Sequence, residues 1–95
     1  MAGRITLGSH VWVNGAVVFR DLEGELVLLN LESGVYFGLD PVGTRIWHLL
    51  TEPCTLEHIL DALVDEYDVA RGQCEHDLLR FVGRLREKAL LEVAG

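Results

Sequence analysis

Leu26–Leu50, LVLLNLESGVYFGLDPVGTRIWHLL, decides how this chain is read. It divides into two short apolar runs separated by Glu32-Ser33-Gly34, followed by an abrupt helix start. Gly34 can take positive φ at no steric cost, which suits a tight turn between antiparallel strands. Val35–Leu39 is the second β-run, and Asp40-Pro41 ends it. Asp40 can accept the orphan N–H groups of the following turn. Proline suits the first helical position, where its missing N–H would be unpaired anyway.

Toward the N-terminus, Glu25–Leu31 and Val17–Leu22 complete a three-stranded antiparallel meander, turned at Glu23-Gly24. Val11-Trp12-Val13, Asn14-Gly15 and Ala16–Phe19 predict a hairpin, because Asn-Gly supplies the two positive-φ positions of a type I′ turn. Residues 1–9 carry little pattern and are expected to form a loose arm ahead of one domain over 10–95. The middle strand is apolar on both faces: Val27, Leu29 and Leu31 share one, Leu26 and Leu28 the other. A sheet with one solvated face alternates more cleanly. The second face therefore calls for a cover, with the arm or a second copy of the chain (a homodimer) favoured over another partner.

Toward the C-terminus the period changes from two to 3.6 and predicts three helices. The first spans Pro41–Leu50, with Ile46, Trp47 and Leu50 assigned to the core, and Glu52-Pro53 breaks it. Thr55 caps a second over Leu56–Tyr67, whose stripe is Leu56, Ile59, Leu60, Leu63 and Tyr67. Asp68-Val69-Ala70 connects to a third over Arg71–Lys88, with Cys74, Leu78, Phe81, Val82 and Leu85 along one side. Leu90, Leu91 and Val93 form a short extended tail. Gly83 falls inside the third helix, where glycine costs ~1 kcal/mol relative to alanine. Close packing of another backbone and simple tolerance are equal explanations for it. The fold class expected is α+β and winged helix-turn-helix-like: an N-terminal three-stranded antiparallel β-meander followed by three α-helices.

Ninety-five residues make one small domain, and 49% hydrophobic residues with two prolines exclude a disordered chain. No apolar run approaches the ~20 residues of a membrane span, and the N-terminus lacks a signal-peptide core, so a soluble cytoplasmic protein is expected. The net charge of −7 opposes nucleic acid as partner. The charge is uneven: residues 1–70 carry three basic against eleven acidic side chains, whereas 71–88 carry five basic against three acidic. The third helix is thus a basic strip on an acidic body, although an ordinary solvated face fits the same pattern.

The residues offer little chemistry. Cys54 and Cys74 make no disulfide framework and read as free buried thiols. Cys54 with His58 and Cys74 with His76 superficially supply four metal ligands. Residues 74 and 76 on one helix point ~200° apart and cannot share an ion. No serine, cysteine or carboxylate stands in an activating context, and no glycine-rich phosphate loop is present. No enzyme, cofactor or metal is expected. The second and third helices resemble a helix-turn-helix, but Glu75 and Asp77 sit where phosphate and base contacts would lie. A DNA-binding regulator and a scaffold subunit of a biosynthetic enzyme remain the alternatives.

ELVLLNLESGVYFGLDPVGTRIWHLL, TLEHILDALVDEYDV and HDLLRFVGRLREKALLE together resemble the PqqD-like family, the recognition elements of ribosomally made, post-translationally modified peptide pathways. The resemblance spans roughly residues 10–92 and is most specific at Tyr36-Phe37, Leu39-Asp40, Gly43, Ile46-Trp47 and Leu50, with Asp77 ahead of Leu78, Phe81 and Leu85. The Tyr-Phe-Gly-Leu version is similar to stand-alone members from lasso-peptide clusters. Ala70 departs from the acidic or capping residue common at that place in the family. The resemblance implies a non-catalytic domain that binds the leader segment of a precursor peptide as an added strand. That strand would lie in a groove between the third meander strand and the third helix, and the domain would present it to a modifying enzyme or leader peptidase.

Independently, Val35–Leu39 ends the meander and should be an edge with free backbone groups, which β-augmentation uses for affinity. Val35, Tyr36 and Phe37 are the expected pairing edge, and Gly38 keeps the groove open. Asp77, Phe81 and Arg84, flanked by Arg80, are the expected helical wall, with the arginines meeting acidic leader residues. Phe37 and Phe81 fit plain core packing equally well, and both arginines fit solvated charge.

Overall fold

The computed structural model describes residues 5–23 and 25–94. The strands are β1 (His10–Val13), β2 (Val17–Leu22), β3 (Glu25–Asn30), β4 (Tyr36–Leu39), β5 (Cys54–Thr55) and β6 (Leu91–Val93). The helices are α1 (Pro41–Leu50), α2 (Leu56–Glu66) and α3 (Arg71–Glu87). They form an antiparallel meander, β2-β3-β4, then the three helices, with a second small sheet ordered β5-β1-β6. The α+β winged layout expected from the sequence is the one observed.

Local chemistry sets the element boundaries. Gly34 takes φ +76° in the β3–β4 turn. Asp40 caps α1, its Oδ1 accepting from the Gly43 N–H at 2.7 Å, with Pro41 at the first helical position. Thr55 caps α2 by accepting from the His58 N–H at 3.3 Å. Ala70, at the start of α3, makes no side-chain cap. The other end of α3 closes on Ala89 at φ +57°, where the Ala89 N–H bonds to Arg86 O and the Leu90 N–H to Leu85 O. This is a Schellman closure with alanine in the left-handed position that glycine usually fills.

One expectation is corrected. β1 does not form a hairpin with β2; it pairs with β5 and, at Val11↔Val93, Trp12↔Glu92 and Val13↔Leu91, with β6. Asn14 still makes a turn, its Oδ1 accepting from the Ala16 N–H at 2.8 Å and its carbonyl from the Val17 N–H at 3.0 Å. Its own N–H, however, donates to Leu90 O and draws the chain toward the C-terminal segment. The expected extended tail is therefore a paired strand. Pairing β1 with it buries Val11 and Leu91 together, which a β1–β2 hairpin would forfeit. Within Ile5–Ser9 the arm meets the start of α2, where the Leu56 and Glu57 N–H groups donate to the Ser9 and Leu7 carbonyls. Residues 1–4 and Gly24 lie outside the described residues.

The core is continuous from the inner face of the meander into the helices: Leu26, Leu28 and Leu39 pack with Trp47, Leu50, Ile59, Leu60, Leu78, Val82 and Leu85. Trp47 is fully buried and meets Phe19 edge-on at 6.1 Å between ring centroids. The arm does not cover the outer face of the meander in the described residues; Val18, Leu22 and Leu31 remain about half exposed or more, at 46%, 51% and 63%.

Candidate functional site

Antiparallel pairing fixes which backbone groups of β4 are free. Leu26↔Leu39, Val27↔Gly38, Leu28↔Phe37 and Leu29↔Tyr36 are opposite one another, and the Asn30 N–H donates to Val35 O at 3.0 Å in the same register. Bonded and non-bonded pairs alternate along such a ladder. Val35, Phe37 and Leu39 therefore bond inward to β3, while the N–H and C=O of Tyr36 and Gly38 point out along the free edge. Among the described residues β4 pairs with β3 alone, so these four groups have no backbone partner.

The free edge opens onto a groove of about 700 Å³ between β4 and α3. Phe37, Gly38 and Leu39 form one wall, and Cys74, Asp77, Leu78, Phe81 and Arg84 the other. Val42, Gly43 and Ile46 of α1 make the floor, and Leu63, Tyr67, Val69 and Ala70 close the far end. The lining is predominantly apolar, with Val42 and Val69 about half exposed to solvent. Such a surface is costly to leave open and ready to receive apolar side chains.

At the near end the rings of Phe37 and Phe81 meet edge to face, 6.4 Å between centroids. The Arg84 guanidinium lies 5.2 Å, and the Lys88 ammonium 5.9 Å, from the centre of the Phe37 ring. Both are attracted by the ring's negative face. This aromatic-and-cation corner places two positive charges at one end of a predominantly apolar groove. Asp77 lies farther along, its Oδ1 accepting from Gln73 Nε2 at 2.9 Å. Burial pushes the Cys74 thiol up, with the Asp77 carboxylate adding to it, so this groove cysteine is protonated and weakly nucleophilic at neutral pH. Cys54 is pushed up likewise, by burial and then by Glu52, and both are half-buried free thiols.

Two interactions hold the walls in place. Asn30 is 2% exposed; its Nδ2 donates to Ala89 O at 2.8 Å, and its Oδ1 accepts from the Glu32 and Ser33 N–H groups. It thereby ties the turn that launches β4 to the C-terminal end of α3. Gly43 sits under the groove, where a Cβ would lie 3.1 Å from Asp40 Oδ1 and 3.4 Å from the Phe81 ring. A larger residue would press on both the helix cap and the aromatic wall.

Of the residues singled out from sequence, Phe37, Gly38, Asp77, Phe81 and Arg84 line the groove. Tyr36 does not line it; it contributes backbone to the edge while its side chain, 70% exposed, projects from the outer face. Val35 bonds inward to Asn30 and adds nothing to the free edge. Arg80 is exposed, does not line the groove, and makes no ion pair with the described residues. Lys88, Tyr67 and Val69 were missed. The signal for Lys88 was present: 77, 81, 84 and 88 recur at helical spacing on one face, with 80 at its margin, about 60° round from 77. Among the described residues no group of three or more His, Cys, Asp or Glu is placed to hold a metal ion, and no helix is long and apolar enough to cross a membrane.

Comparison with known proteins bears on this geometry. No curated protein sequence matches the chain. A solved structure described as TbiB1 in complex with the TbiA(beta) leader peptide is similar at 48% identity and a TM-score of 0.80, covering 85% of this chain and 94% of that one. A second, lasso peptide synthetase B1 complexed with the leader peptide, shares the fold at 23% identity and a TM-score of 0.77, covering 86% of this chain and 96% of that one. The family profile for coenzyme PQQ synthesis protein D matches residues 25–91, from the start of β3 to the first residue of β6. With both walls of the groove inside the matched span, the chain belongs to the PqqD family.

Proposed function

We propose that this chain binds the leader segment of a ribosomally made precursor peptide as a fourth strand on β4 and presents it to a modifying enzyme or leader peptidase of the same pathway. The observation that carries the reading is the outward N–H and C=O groups of Tyr36 and Gly38, bordering an apolar groove of about 700 Å³. The leader-bound state of the 48%-identical relative supports it. Backbone bonds supply affinity with little dependence on leader sequence, and side chains entering the groove supply selection. The Arg84–Lys88 corner favours a leader with an acidic residue near the Phe37 end.

The magnitudes are adequate. Four main-chain hydrogen bonds contribute ~1 kcal/mol each net, and two or three buried apolar anchors ~1.5–3 kcal/mol each. Ordering the leader and losing its translational freedom cost several kcal/mol. A balance of about −8 kcal/mol corresponds to micromolar binding, which suits a carrier that must release its cargo.

Calorimetric titration with the synthetic leader of the precursor encoded beside this chain's gene tests the proposal. Micromolar affinity is expected, weakened about tenfold by Arg84→Glu and relieved in part by salt. Absence of binding by the unmodified chain would remove the proposal. Binding that ignores both Arg84→Glu and Phe81→Ala would move the peptide elsewhere.

A further inference from the structure

Gly38 has no reason within the fold to be glycine. Its φ lies outside the left-handed region, and a Cβ built on it meets nothing within 4 Å. Glycine weakens a strand interior, and where packing and dihedral do not require it, it often marks the close approach of a ligand. The register says where the absent side chain would stand. Phe37 and Leu39 point toward the core, so Tyr36 and Gly38 project from the outer face, opposite Leu29 and Val27. Val27 is half-buried, and Arg20 follows it in the same row on β2. The outer face thus has a notch: floored by the Gly38 backbone, backed by Val27 and flanked by the exposed Tyr36.

A strand added to β4 must bond to Tyr36 and Gly38, the two residues whose backbone groups face out. Opposed residues put their side chains on the same face of a sheet, whichever way the added strand runs. The leader residue opposite Gly38 therefore stands on the outer face, while its neighbours in sequence face the groove. Strands lie ~4.8 Å apart, so Val27 on β3 is two spacings, about 10 Å, from the added strand. An aromatic or long side chain laid flat over the glycine spans most of that gap, with heavy-atom contact at ~4–4.5 Å covering the rest. Such a side chain can lie across the glycine onto Val27, the arrangement in which an aromatic covers an edge glycine. We infer that the notch at Gly38 is a second leader-anchoring site, taking one aromatic or long aliphatic side chain on the outer face of the sheet, away from the groove. The inference rests on β4 being the leader's docking edge. It makes recognition two-sided, with adjacent leader residues read by opposite faces of the sheet.

The test uses the full chain and the same synthetic leader. One leader side chain is expected to give nuclear Overhauser contacts to the Val27 methyls. Gly38→Val is expected to fold with an unchanged or higher melting temperature and to bind the leader about tenfold more weakly. Alanine at the contacting leader position should cost about tenfold against the unmodified chain and under about threefold against Gly38→Val, the coupling expected of direct neighbours. Gly38→Ala, a smaller intrusion, should fall between and serves if the valine variant does not fold. Val27 methyls unmoved at saturating leader, with Phe81→Ala still weakening binding, would overturn the notch and leave the groove intact. Affinity indifferent to both Phe81→Ala and Gly38→Val would overturn the groove reading and the notch together.

Discussion

At the scale of single residues, Asn30 and the glycines decide most. Asn30 is a polar side chain buried in an apolar core and satisfied on both ends. Asn30→Ala leaves the Ala89 carbonyl and two turn N–H groups without their partner, an expected loss of about 3 kcal/mol in urea denaturation. Because the same side chain spaces the groove walls, leader affinity should fall even where the variant remains folded. Gly83 behaves oppositely. A Cβ there meets nothing within 4 Å, so the close packing entertained from sequence is not its explanation. Gly83→Ala should stabilise α3 by about 1 kcal/mol, read as a melting temperature roughly 4–8 °C higher for a domain of this size. Ala89→Gly relieves a left-handed alanine and should add ~0.5–1 kcal/mol, net of the greater freedom glycine gives the unfolded chain.

At the scale of elements, the legible parts were those whose information is local. Asp40-Pro41 announces α1, Thr55 announces α2, and the 3.6 periodicity of Leu78, Phe81, Val82 and Leu85 announces α3. The β2-β3-β4 meander follows from Gly34 and the apolar runs beside it. β1, β5 and β6 were not legible as a sheet, because two to four residues carry no record of a distant partner. Asn14-Gly15 pointed to the nearest strand. The pairing was decided instead by burial of Val11 and Leu91, a tertiary effect that overrides local turn preference. The groove was half legible for the same reason: its β4 and α3 walls came from single periodic elements, while Tyr67 and Val69 enter from the α2–α3 connection. Cys74 gives this element-level geometry a chemical readout. Its raised thiol should react slowly with iodoacetamide near pH 7 and speed up only above the ordinary thiol range, and bound leader should block it. Cys54, outside the groove, should be unaffected by leader. A folded-state thiol held above its unfolded value favours the native protein below the unfolded pKa. That advantage is lost as pH rises through the folded one.

At the scale of the whole molecule, a −7 domain places two of its eight Lys and Arg side chains, Arg84 and Lys88, where the groove ends. The β2-β3-β4 sheet is left with an open margin at β4, and α3 is held beside it by the Asn30–Ala89 tie and the Schellman closure. On the proposed reading, leader binding would complete this sheet rather than reshape the domain, so the core amides should hardly respond. Amide hydrogen exchange tests that claim most directly, because the ladder separates neighbouring residues. In the free protein Tyr36 and Gly38 should exchange fast while Phe37 and Leu39 are protected by β3. Saturating leader should protect Tyr36 and Gly38 and leave Phe37 and Leu39 as they were. Tyr36 and Gly38 already protected in the free chain, or still unprotected with leader bound, would contradict the account.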